Sequence, residues 1–323
     1  MAVEAADGGP GLPPSGLQWE RLVRPDGTTL RLALAPAACA PMRGLVLGLP
    51  GRGQFIERWF ETMRALAGRG FAVAVLDHRG QGGSGRPLPE YQRHHVADFD
   101  LLAADALAAL THARDRLGAD GPALLLGHSM GGLVALLAAL RQPEAVAALV
   151  LAAPLIGLHA TPLPERFVCA LARFQCGRGR ETVCAWGQGP WRPPEADPAW
   201  HRRRQWLFTH DDARYRLESE VIARRPELVV GGVTWGWLDA ACRAMKAVRA
   251  AARAGRPAQP MLIALAGADR VVSNCAARRL AHRLRQAEVV AIPGARHEIL
   301  QEAAPWRRAF WQAVDDFLAR HDL

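Results

Sequence analysis

The sequence predicts an α/β fold: a mostly parallel sheet flanked by helices, with an inserted and mainly helical cap. Three observations carry this. Short apolar runs alternate with segments of helical period through the first half of the chain, and the rhythm returns near the C-terminus. From 154 to 259 the alternation stops. The stretch Gly127-His128-Ser129-Met130-Gly131 lies between an apolar run and an alanine-rich helical run.

The elements follow in order. Residues 1–16 are rich in glycine and proline and read as a flexible arm. The first residues are acidic and lack an apolar core, so no secretory leader is expected. Leu17 to Val23 and Thr28 to Ala35 alternate apolar and polar residues about Pro25-Asp26-Gly27, which predicts a hairpin at one sheet edge. Leu45 to Leu49 reads as a buried strand. Phe55, Trp59, Met63 and Leu66 recur at helical spacing up to Gly68-Arg69-Gly70. Phe71 to Leu76 predicts a strand and Val96 to Leu117 a long amphipathic helix. The run Ala123 to Leu126 predicts the strand before the serine motif, and Gly132 to Leu140 the helix after it. Ala147 to Ala152 is the next strand. Past the insertion, strands are expected at Met261–Ala266 and Glu288–Ile292, with a helix from Cys275 to Gln286 between them. A last helix is expected to open at His297 and end near Ala319. The core is therefore assigned to 17–153 and 260–323, and the cap to 154–259.

Bulk properties narrow the function classes. A chain of 323 residues, half of them apolar, can bury a large core. No apolar run approaches the roughly 18 residues of a membrane span. The six cysteines form no CxxC pair and no zinc spacing, and reduced thiols are expected, with Cys176 and Cys184 the one candidate pair. These features place the chain in the cytoplasm, with a peripheral role at the inner membrane face as an option. The net charge is +9, and Lys246 is the only lysine among 40 basic residues. The arginines are scattered, in short runs such as Arg202-Arg203-Arg204 and Arg224-Arg225, so no nucleic-acid partner is expected. A peripheral contact with anionic membrane stays open.

The chemistry starts at Ser129. A strand, a sharp turn and a helix around G-x-S-x-G form the context of a nucleophile elbow, in which glycines allow close approach of strand and helix. A serine needs a histidine oriented by a carboxylate. Of the eleven histidines, His297 follows the last strand and the turn Pro293-Gly294-Ala295, at the sheet end where Ser129 should lie. His128 reads as an elbow-packing residue. Asp269 is the only carboxylate in the loop after Met261–Ala266. Glu298 is the runner-up and reads better as a helix-start charge, while Asp211-Asp212 read as a helix cap. The backbone N–H groups of Met130 and of Arg52, in Pro50-Gly51-Arg52-Gly53, are the expected oxyanion donors. The region 154–259 holds six of the ten tryptophans, which suits an apolar ligand. Trp235 and Trp237 are the candidate substrate contacts.

Three stretches resemble the α/β-hydrolase superfamily, and within it the bacterial lysophospholipase and monoacylglycerol-lipase-like branch. They are Gly51-Arg52-Gly53-Gln54-Phe55-Ile56-Glu57, Asp77-His78-Arg79-Gly80-Gln81-Gly82-Gly83-Ser84-Gly85-Arg86 and the serine motif. Gly232 to Leu238 is similar to the same branch. The resemblance implies an α/β-hydrolase fold and a serine hydrolase of lipid-like esters. It implies the triad Ser129, Asp269 and His297, the set that spacing also gives, with no cofactor and no metal. Many lipases carry His-Gly where this chain has Pro50-Gly51. Acyl transfer, hydrolysis of a non-lipid ester and a non-catalytic binder of the same fold are the alternatives. Head group, acyl length and oligomeric state are not legible.

Overall fold

The computed structural model describes residues 9–159 and 163–323; residues 1–8 of the expected arm and 160–162 of the expected cap lie outside the described residues. The hairpin is β1 (Gln18–Val23) and β2 (Thr29–Ala35), antiparallel with Leu22 opposite Leu30. Next come β3 (Gly44–Leu49), a tight helical turn over Ile56–Trp59, α1 (Phe60–Ala67) and β4 (Phe71–Leu76). α2 spans Phe99–Leu117. It starts three residues later than the periodicity suggests, because the Asp98 carboxylate accepts the Asp100 N–H at 2.9 Å and caps it. Then follow β5 (Ala123–His128), α3 (Met130–Arg141) and β6 (Ala148–Ala152).

Among the described residues four α-helices lie between β6 and the next strand: α4 (Glu165–Gly177), α5 (Pro198–Phe208), α6 (Asp212–Arg224) and α7 (Trp235–Arg253). The chain closes with β7 (Met261–Ala266), α8 (Asn274–Ala281), β8 (Ala287–Ile292) and α9 (Ala304–Arg320). α8 stops well before Gln286, because the Gln286 carbonyl already accepts the Met261 N–H at the foot of β7, at 2.8 Å. The last helix does not open at His297 either. Glu298 is drawn into the interior, Ile299–Gln301 forms a tight turn, and the helix begins beside Pro305.

The sheet order is β1-β2-β4-β3-β5-β6-β7-β8. β1, β2 and β4 pair antiparallel, and every later pairing is parallel. β3 to β7 are buried along their whole length, which is why they read as continuous apolar runs rather than alternating ones. α7 packs against α2, α3 and α8 of the layers beside the sheet, although it falls within the stretch assigned to the cap. A second, smaller apolar cluster joins Phe55 to Leu217, Val221 and Ile222 of α6. The described part of the arm is tied down, since Arg64 of α1 donates to the Leu12 and Gly9 carbonyls.

The cysteine expectation is corrected. Cys169 of α4 and Cys242 of α7 form a disulfide, whereas Cys176 and Cys184 are both free. α4 lies along α7 and brings the two Cα atoms to 5.7 Å, within disulfide reach. A separation of 73 residues hides this pairing in the sequence. The thiol argument for a reducing compartment falls with it. No described helix is long and apolar enough to cross a membrane.

The tightest backbone approach fixes the elbow. A Cβ on Gly131 would meet the Leu49 carbonyl oxygen of β3 at 1.8 Å, and one on Gly127 would meet the Gly131 oxygen at 2.5 Å. Gly131→Ala is therefore expected to destabilise the protein by about 3 kcal/mol or more, as backbone must move rather than a side chain. Urea denaturation monitored by tryptophan fluorescence would measure this; a loss within error of zero would refute it.

Candidate active site

Ser129 is the turn between β5 and α3. Its φ of 51° and ψ of −113° lie where side chains other than glycine rarely go. Neighbouring backbone holds the conformation. Ser129 N–H donates to Ala152 O of β6 at 3.0 Å, and its carbonyl accepts from Leu155 at 2.9 Å and Gly132 at 3.0 Å. β6 and the chain just beyond it thus grip both ends of one strained residue.

The structure brings together the three residues picked from the sequence. His297 Nε2 lies 3.0 Å from Ser129 Oγ, and His297 Nδ1 lies 2.8 Å from Asp269 Oδ2. All three side chains are buried. The second oxygen of Asp269 accepts the Val271 and Val272 N–H groups at 2.8 and 3.0 Å. Burial opposes its charge, but the imidazole and the two N–H donors outweigh that and hold its carboxyl below the usual carboxylate range. A carboxylate fixed at Nδ1 assigns a proton to that nitrogen and leaves Nε2 basic toward the serine.

The loop Pro50-Gly51-Arg52-Gly53 is built to leave one N–H unused. Gly51 N–H donates to Gln54 Oε1 at 2.8 Å, Gly53 N–H to Gln81 Oε1 at 3.1 Å, and Gln54 N–H to Gly51 O at 3.2 Å. Among the described residues no acceptor is paired with the Arg52 N–H. Met130, the first residue of α3, has its N–H outside the intrahelical ladder. The Asp77–Arg86 run, read from the sequence only as a family signature, has a structural task. Gln81 Nε2 donates to the Gly51 and Gln54 carbonyls at 2.9 and 3.0 Å, clamping this loop from below. Asp77 accepts from Arg31, Gly83 and Ile56 at 2.7, 2.7 and 3.0 Å and anchors the clamp.

Sequence reasoning missed two further residues. His128 is more than packing: its Nε2 lies 3.1 Å from the His297 carbonyl, and its Nδ1 lies 3.3 Å from Gln54 Oε1. Burial, with the neighbouring His297 adding to it, pulls its pKa down to about 4, so the ring is neutral and holds one N–H. The shorter contact assigns that hydrogen to Nε2, which braces the His297 backbone. Glu298 is not a helix-start charge. It is buried and accepts both Nη atoms of Arg58, which also donates to Glu218 of α6 at 2.7 Å; Arg204 of α5 donates to Glu218 at 2.9 Å. Burial opposes the Glu298 charge, but Arg58 and then Arg204 hold its carboxyl below the usual range. This network ties the residue after His297 to α5 and α6. Asp211 does cap a helix, accepting the Arg214 N–H at 2.8 Å.

Beside the triad lies a cavity of about 730 Å³. Phe208, on its wall, has its ring 5.6 Å from the His297 ring, and Arg52 of the oxyanion loop is on the wall as well. Trp191 and Trp200 line it, together with Leu207, Ile222 and Val230. Trp235 and Trp237, the candidate substrate contacts, do not line this cavity. They open α7, whose first turn faces the core. Trp237 packs on Phe99 of α2 with ring centres 5.6 Å apart, and Trp235 packs on Trp186 at 5.4 Å. No periodicity separates wall tryptophans from core ones.

The family model described as Serine aminopeptidase, S33 matches residues 40–304. Lysophospholipase L2 of Escherichia coli K12 is 33% identical over 287 residues, covering 86% of this chain and 81% of that protein. Human monoglyceride lipase is 36% identical over 117 residues, covering 35% of this chain and 36% of that one. Among solved structures, a soluble variant of Saccharomyces cerevisiae monoglyceride lipase aligns with a TM-score of 0.73 at 20% identity over 94% of each chain, a likeness of fold.

Glu298→Gln is expected to cost about 3 kcal/mol at pH 7, because it leaves part of the buried Arg58 charge unpaired. A carboxyl with a lowered folded pKa adds stability above its unfolded pKa of about 4.3 and loses it as pH falls through the folded value. The gap between variant and parent should therefore shrink below about pH 4. Urea denaturation of both proteins across that range checks it, and a gap independent of pH would contradict the assignment.

Proposed function

The chain belongs to the Serine aminopeptidase, S33 family of α/β-hydrolases, in the branch of lysophospholipases and monoacylglycerol lipases, and from that premise we propose that it cleaves carboxylic esters of single-chain lipids through an acyl-enzyme. The observation that carries this reading is the buried chain Ser129–His297–Asp269, with contacts of 3.0 and 2.8 Å, standing on a strained turn. A resting enzyme with the base already within reach of the nucleophile needs little rearrangement to start the reaction.

In the proposed mechanism His297 Nε2 accepts the Ser129 proton as Oγ attacks the ester carbonyl. Asp269 stabilises the resulting imidazolium and stays ionised itself. The Met130 and Arg52 N–H groups donate to the oxyanion. His297 then gives its proton to the departing alcohol, and a water molecule repeats the sequence on the acyl-enzyme to release the fatty acid. The cavity, with Trp191, Trp200 and Phe208 on its wall, holds the lipid; its volume lies within the usual range of ligand sites. The names of the relatives support this substrate class, since they act on lysophospholipids and monoglycerides.

A second reading concerns where the enzyme meets its substrate. Phe167 and Phe174 of α4, and Leu163 just before it, are exposed, with Arg166, Arg173 and Arg178 exposed around them. Aromatic side chains at i and i+7 share a helix face, and a basic surround suits an anionic interface. We propose a peripheral contact of α4 with anionic membrane. Co-sedimentation with anionic vesicles should weaken at high salt and fall about tenfold in a Phe167→Ser, Phe174→Ser double variant. Binding indifferent to salt, lipid charge and these substitutions would rule it out.

Ser129→Ala is expected to abolish esterase turnover by about 10⁶-fold, and Asp269→Asn to lower kcat by about 10⁴-fold, both with little change in unfolding midpoint. Steady-state hydrolysis of a p-nitrophenyl ester measures both. Full activity of Ser129→Ala would end this assignment.

A further inference from the structure

The cavity beside the triad carries more positive charge than its surroundings neutralise. Four arginines line it, Arg52, Arg192, Arg203 and Arg204, against two carboxylates, Asp197 and Glu218. The carboxylates are already engaged. Glu218 accepts from Arg204 at 2.9 Å and from Arg58 at 2.7 Å, and Asp197 lies 3.8 Å from Arg192. Among the described residues neither Arg52 nor Arg203 has a carboxylate within ion-pair distance. Among the described residues the Arg52 guanidinium has one polar contact, with the Gly231 carbonyl at 2.9 Å, which leaves the rest of its donor fork unused.

A cation is seldom left so without purpose. Arg52 is accessible, but what it faces is a cavity walled by protein. Poor solvation there, together with the repulsion of Arg204 and against the pull of Glu218, lowers its pKa to about 10. It is still charged at neutral pH, and it lacks an anion. Its position matters as much as its charge. The backbone of Arg52 faces the proposed oxyanion, so its side chain starts one residue's length from the reacting ester. An anionic group a few bonds from that ester would come within its reach. The cluster Arg202-Arg203-Arg204, unexplained by any nucleic-acid role, supplies Arg203 to the same cavity from α5.

We propose that Arg52, assisted by Arg203, binds the phosphate of the substrate, so that the enzyme hydrolyses single-chain phospholipids in preference to uncharged monoacylglycerols. This rests on the lipid-ester reading above and narrows it. A guanidinium fork matches two phosphate oxygens, and in a protein-walled site such charge-assisted bonds are strong. A glycerol hydroxyl in the same place would leave the cation uncompensated, which gives discrimination by a penalty as well as by a gain.

The test compares 1-acyl-glycerophosphoglycerol with 1-acyl-glycerol of the same short chain, both below their micelle concentrations, as a ratio of kcat/KM. The intact protein should favour the phosphorylated ester by about tenfold or more. Arg52→Met should lower that ratio by about tenfold, and Arg203→Gln severalfold; the ratio cancels any effect of the Arg52 substitution on the oxyanion loop. Glycerol 3-phosphate should inhibit hydrolysis of p-nitrophenyl butyrate by the unsubstituted protein competitively, with glycerol and equimolar chloride inert. This arm survives a variant that does not fold. A preference for the uncharged ester, a ratio indifferent to both substitutions, or inhibition equal for glycerol and its phosphate would each overturn the proposal while leaving an esterase intact. Turnover of p-nitrophenyl butyrate with neither lipid cleaved would instead overturn the lipid-ester reading, and this proposal with it.

Discussion

One backbone turn organises the molecule. Ser129 holds a positive φ of 51° because β6 takes its N–H and the chain beyond β6 takes its carbonyl. The turn then aims α3 at β3 so closely that the Leu49 carbonyl occupies the space of any side chain at position 131. Strand, helix and neighbouring strand are thus locked by contacts that only glycine permits. Nothing in the site is independent of this. The Met130 N–H is available because α3 begins there, and Asp269 and His297 reach Ser129 because β7 and β8 follow β6 in the sheet.

The second layer of order is electrostatic. Buried charge in this protein is arranged in chains rather than isolated pairs. Glu298, Arg58, Glu218 and Arg204 run from the residue beside His297 out to α5 and α6. Glu218 accepts from both Arg58 and Arg204, and the same two guanidiniums hold the Glu298 carboxyl below its usual range, which suits a chain whose basic residues are almost all arginine. The network joins the triad loop to the cavity wall, so the position of α5 and the position of His297 are not separable. His128 supports the same loop from the opposite side through the His297 carbonyl. Arg52 stands apart from the network as a cavity cation with no carboxylate of its own among the described residues.

Much of the fold and the triad was legible because both rest on local signals. Buried parallel strands announce themselves as apolar runs, and the order serine, acid, histidine places Asp269 and His297 at strand ends by counting alone. Other features were hidden because they depend on long-range packing. The Cys169–Cys242 bond joins helices distant in sequence, and Trp235 and Trp237 are core residues only because α7 folds back onto α2 and α3. Glu298 had the spacing of a helix-start acid, yet a buried arginine from the turn before α1 outcompeted that role. Gln81 was visible as part of a motif, but the loop it clamps could be seen only in three dimensions.

Ser129 is an activated nucleophile because His297 and Asp269 stand behind it. Treatment with a fluorophosphonate probe, followed by peptide mapping, tests this most directly. A single adduct on Ser129 is expected, forming rapidly in the intact protein and lost when His297 is replaced by alanine. An adduct on another residue, or equal labelling of Ser129 without His297, would contradict it.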